Sequence, residues 1–371
     1  MSKTTVEILG EFGQSIWLDN ISRSMIESGA LEKMISVGLR GMTSNPSIFD
    51  KAIRFSNDYD ARIEELSSSG KSTFEIYDDI TVKDVQDAAD IFKPVYDKTD
   101  RLDGYVSLEV NPKIAFNTDR TIEDARRLFR KVNRPNVMFK VPATKAGYRA
   151  IEELLAEGIN INATLIFSLE QYNRTAQAFL KGIERLQQKV RDMRDVHSVA
   201  SVFVSRIDTV ADNMIDKKPE LESFKGKAAI SNSQLIFQKY IEIFSGRKFE
   251  KLKGKGCNVQ RVLWASTSTK NPDYSDIKYV VGLIGKDTVN TLPEDTFRAF
   301  LDHGVIEEAI TSDAGEAESV IRTLRDFGID IDSVCSDLLR DGVASFEKSF
   351  DSLLNSIETK TKSLCKMRNV Q

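Results

Sequence analysis

Histidine is scarce in this chain of 371 residues, where only His197 and His303 occur. A multi-histidine metal centre therefore has no donors, and no metal is expected. Cysteine is almost as rare: Cys257, Cys335 and Cys365 lie far apart, with no C-x-x-C pair among them. That spacing fits neither a disulfide framework nor a zinc knuckle, and it points to a reducing, cytoplasmic setting. Apolar runs are all short of the roughly 18 residues that a membrane-spanning helix needs, so no membrane partner is expected. The opening MSKTTVEILGEFGQSIWLDN carries acids early and has no apolar core, so it does not read as a secretory signal. With 8 Pro and 20 Gly the chain is neither collagen-like nor disordered. A basic excess is missing too: 52 Lys and Arg stand against 56 Asp and Glu, a net charge of −4, which argues against a nucleic-acid partner. Local arginines and lysines can still hold a small anionic ligand.

What is present is an ordinary globular composition, 41% hydrophobic and 29% charged. Short β-rich runs alternate with helical patterns along the chain. Strands are expected at Ser15–Asp19, Leu39–Ser44, Tyr105–Val110, Val137–Pro142, Ile159–Phe167, Val199–Ser205, Arg261–Ser266 and Asp287–Thr291. Between them, sets such as Ala125, Leu128, Phe129 and Val132 recur at helical spacing. Such alternation implies parallel strands, and this many units suggest an α/β fold of the closed (β/α)8 TIM-barrel type, spanning 14–292. An open doubly wound sheet is the alternative arrangement of the same elements. The long connections Pro46 to Gly104 and Ile207 to Gln260 have room and pattern for additional helices. Gly246–Asn258, GRKFEKLKGKGCN, reads as a solvated Gly/Lys-rich turn, and Gly282–Asp287 as a helix end turning into the last strand. From 293 to 371 a C-terminal helical extension is expected to pack on the barrel through Leu339, Val343, Phe346, Phe350, Leu353 and Ile357. The alternative for that stripe is a dimer seam, so the chain is expected to be a monomer or a homodimer, and it contains no internal repeat.

In a β/α barrel the reactive groups stand at the carboxyl ends of strands, so polar residues there mark the candidates. The fourth strand, NVMFKVP, sets Lys140 among apolar neighbours. Burying an ammonium costs several kcal/mol, so such a lysine is either paired or functional. At its ordinary pKa of ~10.4 only about one amine in a thousand is a free nucleophile near neutrality. A site that lowered it to ~7–8 would recover most of that deficit. The first strand ends on Asp19, and the third holds Glu109 inside VSLEV. Each alone fits a salt bridge or a strand-end cap. With Lys140 they make an amine and two carboxylates at one mouth, the set that Schiff-base chemistry needs for its proton transfers. Thr43, Ser44 and Asn45 end the second strand, although Asn45 before Pro46 equally fits turn chemistry. Asn162 and Thr164 are two apart in the fifth strand and so share a face, where an amide and a hydroxyl suit a polyhydroxylated ligand. Arg206 follows strand six, and Ser266 with Lys270 follows strand seven, a set suited to a phosphate.

These motifs together resemble the transaldolase family, class I aldolase-type barrels of the pentose phosphate pathway. The segments that carry the resemblance are SIWLDNISR (15–23), GMTSNPSIF (41–49), GYVSLEVNP (104–112), NVMFKVPAT (136–144), INATLIFSLEQY (161–172) and WASTSTKNP (264–272). The helical tail is similar to that of the longer bacterial and plant-type branch. The resemblance implies that Lys140 forms the Schiff base and that Asp19 acts as acid and base at the hydroxyl beside the cleaved bond. It implies that Glu109 works through a water oriented by Thr164. Asn45, Asn162 and Ser201 would hold the dihydroxyacetone hydroxyls, with Phe203 lining the site and Arg206 on the phosphate. The short branch carries a second arginine where Ser268 stands here, which leaves Ser268 or Lys270 to complete the phosphate site. The reaction so implied moves dihydroxyacetone from sedoheptulose 7-phosphate to glyceraldehyde 3-phosphate, with sugar phosphates as partners. The protonated imine serves as the electron sink, so no cofactor is expected. The rival expectations are an aldolase releasing free dihydroxyacetone and an inert sugar-phosphate binding protein.

Overall fold

The computed structural model describes residues 3–368. Residues 369–371 of the expected extension, and the first two residues of the chain, lie outside it. Eight parallel strands close into a barrel in sequence order: β1 (Gln14–Asp19), β2 (Gly41–Thr43), β3 (Tyr105–Glu109), β4 (Val137–Pro142), β5 (Ile161–Ile166), β6 (Ser198–Phe203), β7 (Gln260–Ala265) and β8 (Thr288–Leu292). Closure is sealed by β1 pairing with β8, Ile16 opposite Asn290 and Leu18 opposite Leu292. The chain is thus a (β/α)8 TIM barrel with additional helices and a helical C-terminal extension, not an open sheet. Among the described residues no helix is long and apolar enough to cross a membrane.

All the expected strands form, with ends that local chemistry trims. β2 starts late because the Leu39 N–H still bonds Met34 O of the preceding helix, at 3.1 Å. β7 stops at Ala265 because Ser266 takes a left-handed φ of 54°. One expectation is overturned: Gly246–Asn258 is not a turn throughout, since Arg247–Lys253 is a helix. Phe249 and Leu252 bury against the core from one side of that helix, leaving its lysines in solvent.

Alternation along the strands puts Ser15, Trp17 and Asp19 inside the barrel while Ile16 and Leu18 face the helices. At the amino end the interior is closed by a buried polar plug. Arg261 donates to Asp103 at 2.7 Å, and Ser15 and Trp17 donate to the same carboxylate at 2.7 and 3.2 Å. Above it the Trp17 indole fills the axis beside Gly41, where a Cβ would come within 2.6 Å of the ring. The apolar and polar filling below leaves open space only toward the carboxyl ends.

The long connections carry the additional helices: Pro46–Phe55, Asp60–Ser68 and Thr73–Lys98 after β2, and Ser205–Ile215 and Ala228–Phe244 after β6. The terminal helix, Ile331–Arg368, runs 38 residues, about 57 Å at 1.5 Å per residue. It packs on the first three of these helices and on Ser205–Ile215. Its buried stripe includes Val334, Leu338, Val343, Phe346, Phe350, Leu353 and Ile357. Leu338 takes the fully packed position expected for Leu339, which is only partly buried. Burial of each such side chain is worth roughly 1.5–3 kcal/mol. Polar fasteners fix its register: Ser352 and Ser356 each donate to Asp50 at 2.7 Å, and Lys360 donates to Ser56 O at 2.8 Å.

Candidate active site

Along β4, Phe139 packs outward on Phe129 of the neighbouring helix, so Lys140 points inward. Its side chain is 6% exposed. The amine donates to Ser44 O at 3.0 Å and lies 3.7 Å from Glu109 Oε2, near enough for attraction but too long for a hydrogen bond. The Phe346 ring, from the terminal helix, stands over the same nitrogen at 5.8 Å.

Two carboxyls face this amine in different surroundings. Glu109 pairs in register with Lys140 across β3 and β4, and both its oxygens are buried with no hydrogen-bond partner among the described residues. Burial lifts its carboxyl to about 7, against the pull of Lys140 and with a small push from Asp19. A group poised there can take or give a proton near neutral pH. Asp19, at the end of β1, is half-buried and accepts from Thr43 Oγ1 at 2.8 Å, while Thr43 also meets Thr291 at 2.7 Å. Burial pushes the Asp19 carboxyl above its ordinary range, opposed by Lys140, the Thr43 bond and Lys270.

On β5, Asn162 lies opposite Lys140 and is fully buried in a chain of bonds. Ser201 donates to its Oδ1 at 2.6 Å, and its Nδ2 donates to Ser107 at 3.1 Å. Thr164, two residues further, holds a buried hydroxyl that, like Glu109, has no partner among the described residues. The next residue, Leu165, has a φ of 58°, and the β5–β6 register shifts there. Strain of this kind in a bulky residue costs about 1–3 kcal/mol and marks a place where the strand end is re-aimed. Asn45 caps the helix Pro46–Phe55, its Oδ1 accepting from Ile48 N at 3.1 Å and Ser47 Oγ at 2.7 Å. The turn-chemistry reading of Asn45 is therefore correct, and the same residue still lines the cavity.

Asp19, Asn45, Lys140, Thr164, Ser201, Phe203, Arg206, Ser266, Ser268 and Lys270 line one cavity of about 370 Å³ at the carboxyl ends of the strands. Glu109 and Asn162 lie in the wall behind it, reached through Lys140 and Ser201. At the rim, Arg206 rests over the Phe203 ring at 5.6 Å, and burial holds its guanidinium below the usual range. Lys270 donates to Ser268 at 2.6 Å, and its ammonium is held down by burial and by the charges of Arg206 and Lys51, with Asp19 opposing. Cations that raise one another's cost in this way relax when an anion arrives.

Three lining residues escape a linear reading. Lys51 stands six positions past Asn45 on an exposed helix face, where a charged residue is unremarkable by spacing alone. Thr291 reads as an ordinary strand threonine, and Phe346 as one member of an apolar stripe. A larger surface cavity of about 450 Å³ lies among the helices after β3, β4 and β5 and shares no lining residue with the first. Its arginines are largely spent on neighbouring acids, Arg126 on Glu157 and Arg185 on Glu152 and Glu153. Among the described residues no group of three His, Cys, Asp or Glu side chains is disposed to hold a metal. The arrangement offers an amine nucleophile, two carboxyls with raised proton affinity, hydroxyl and amide donors, and a cationic rim.

Residues 16–357 match the family model described as transaldolase/fructose-6-phosphate aldolase. A protein named transaldolase from Trichodesmium erythraeum is 46% identical over 365 residues, covering 95% of this chain and 96% of that protein. Transaldolase 2 of a Nostoc species is 45% identical, covering 95% and 97%, and the transaldolase of Mycobacterium ulcerans is 42% identical, covering 98% and 99%.

Proposed function

The chain belongs to the transaldolase/fructose-6-phosphate aldolase family, and from that premise we propose that it is a transaldolase acting through a Schiff base on Lys140. The donor is sedoheptulose 7-phosphate and the acceptor glyceraldehyde 3-phosphate, giving erythrose 4-phosphate and fructose 6-phosphate. The observation that carries this reading is the buried Lys140 amine at 3.7 Å from a carboxyl that ionises at about 7.

In this reaction the neutral Lys140 amine adds to the ketose carbonyl at C2. The carbinolamine must lose water, and Glu109 supplies and recovers the protons through a water that Thr164 orients. Asp19 takes the C4 hydroxyl proton as the C3–C4 bond breaks, its electrons flowing into the iminium to leave an enamine. Asn45, Asn162 and Ser201 hold the hydroxyls of the three-carbon unit, and Phe203 lines its apolar side. Arg206, Lys270 and Ser268 receive the phosphate. The enamine then attacks the incoming aldehyde, Asp19 returns its proton to the new hydroxyl, and hydrolysis of the imine frees Lys140.

Borohydride added with fructose 6-phosphate should reduce the imine and leave a three-carbon adduct on Lys140, read by peptide mass mapping. A Lys140→Met variant that retained full activity would refute the assignment. Steady release of dihydroxyacetone without an aldehyde acceptor would refute transfer and leave the aldolase of the same family.

A further inference from the structure

The helix Ser205–Ile215 does more than present Arg206. Asp208 and Asp212 lie one turn apart on the same helix face and make matching two-way contacts. Asp208 accepts from Ala229 N at 2.7 Å through one oxygen and from the Tyr279 hydroxyl at 2.9 Å through the other. Asp212 accepts from Gly226 N at 2.8 Å and from the Tyr274 hydroxyl at 2.8 Å. Lys278 sits between them, its ammonium 3.9 Å from Asp208 and 3.5 Å above the centre of the Tyr274 ring. Gly226 makes room for it: with a φ of 69°, a Cβ there would run into the lysine nitrogen.

Every partner of this cluster belongs to one of two segments. Gly226 and Ala229 lead into the helix Ala228–Phe244, and Tyr274, Lys278 and Tyr279 lie in the β7–β8 connection that also carries Ser268 and Lys270. The start of that connection is stitched to its middle, Thr269 donating to Ser275 O at 2.7 Å and Tyr274 N to Asn271 O at 3.2 Å. Lys270 has no carboxylate partner among the described residues, so its position depends on the backbone that bears it. Arg206 and Lys270 repel each other. Something must hold the two together without neutralising either, and the paired acids do so from behind the rim.

We infer that Asp208 and Asp212, with Tyr274 and Tyr279, are positioning residues that clamp the β7–β8 connection to the Arg206 helix and so set the width of the cationic cradle for a substrate phosphate. The inference rests on the sugar-phosphate reading of the cavity given above. These side chains touch no substrate. Their loss lets Lys270 drift from Arg206 while Lys140, Asp19 and Glu109, held on β4, β1 and β3, stay in place.

The test uses the full chain with Tyr274→Phe and Asp212→Asn, each close in shape to the residue it replaces. With fructose 6-phosphate as donor, KM should rise about tenfold or more while kcat changes less than about twofold. With unphosphorylated fructose as donor, KM should not move. Protection against thermal unfolding by inorganic phosphate, which needs no turnover, should require about tenfold more phosphate in both variants. Equal KM changes for the two donors, or unchanged phosphate protection, would overturn the clamp. Failure of phosphate to protect the parent protein would instead refute the phosphate reading on which the clamp rests.

Discussion

Replacing Glu109 by glutamine tests the electrostatics of the site without asking for catalysis. The carboxyl ionises at about 7 in the folded protein against an ordinary value of 4.5. Below about pH 4.5 it is protonated whether the chain is folded or not, and it contributes nothing to stability. As pH rises the unfolded chain releases its proton first, so the folded state is progressively disfavoured until both forms are ionised above about 7. At 1.36 kcal/mol per pH interval the cost is about 1 kcal/mol at pH 5.5 and about 3 kcal/mol at pH 8.5. A glutamine side chain has almost the same shape and carries no such cost. The stability of Glu109→Gln relative to the parent should therefore improve by about 2 kcal/mol between the two pH values. Equilibrium urea unfolding of both proteins at pH 5.5 and 8.5 reads that difference. An identical offset at the two pH values would mean that Glu109 ionises like any exposed acid, and the proton-relay role assigned to it would fail.

Three further outcomes follow from the geometry. Asp103→Asn leaves the Arg261 guanidinium buried without its counter-charge, so stability measured by urea unfolding should fall by about 3–5 kcal/mol. Phe346→Ala opens a space against Lys140 and should cost about 3 kcal/mol in unfolding free energy while hastening borohydride reduction of the imine, followed by the rate of adduct formation. Asp19→Ala should lower the rate of carbon–carbon cleavage by about 10²–10⁴-fold yet leave the imine trappable, and loss of trapping would assign Asp19 a structural role.

The barrel was legible because short β-rich runs alternate with helical patterns, a signal local in sequence. Lys140 stood out for the same reason, a cation where its neighbours on either side are Phe139 and Val141. Asp19 and Glu109 gained meaning only through the β/α alternation that brings strand ends to one mouth. The helix Arg247–Lys253 was obscured by flanking glycines, although Phe249 and Leu252 held the amphipathic signal. Lys51 and Phe346 were not legible as site residues, because their relation to Lys140 arises from how distant helices pack over the rim. The clamp around Asp208 and Asp212 joins residues up to 71 positions apart and has no local signature.

The seating of the terminal helix bears on how the protein is made. Synthesis proceeds from the amino end, and the strand that closes the ring, β8, emerges only after most of the chain. Phe346 follows later still, and the serines that anchor its helix to Asp50 come after it. A nascent chain thus holds Lys140 without its Phe346 cover until these later segments have been made.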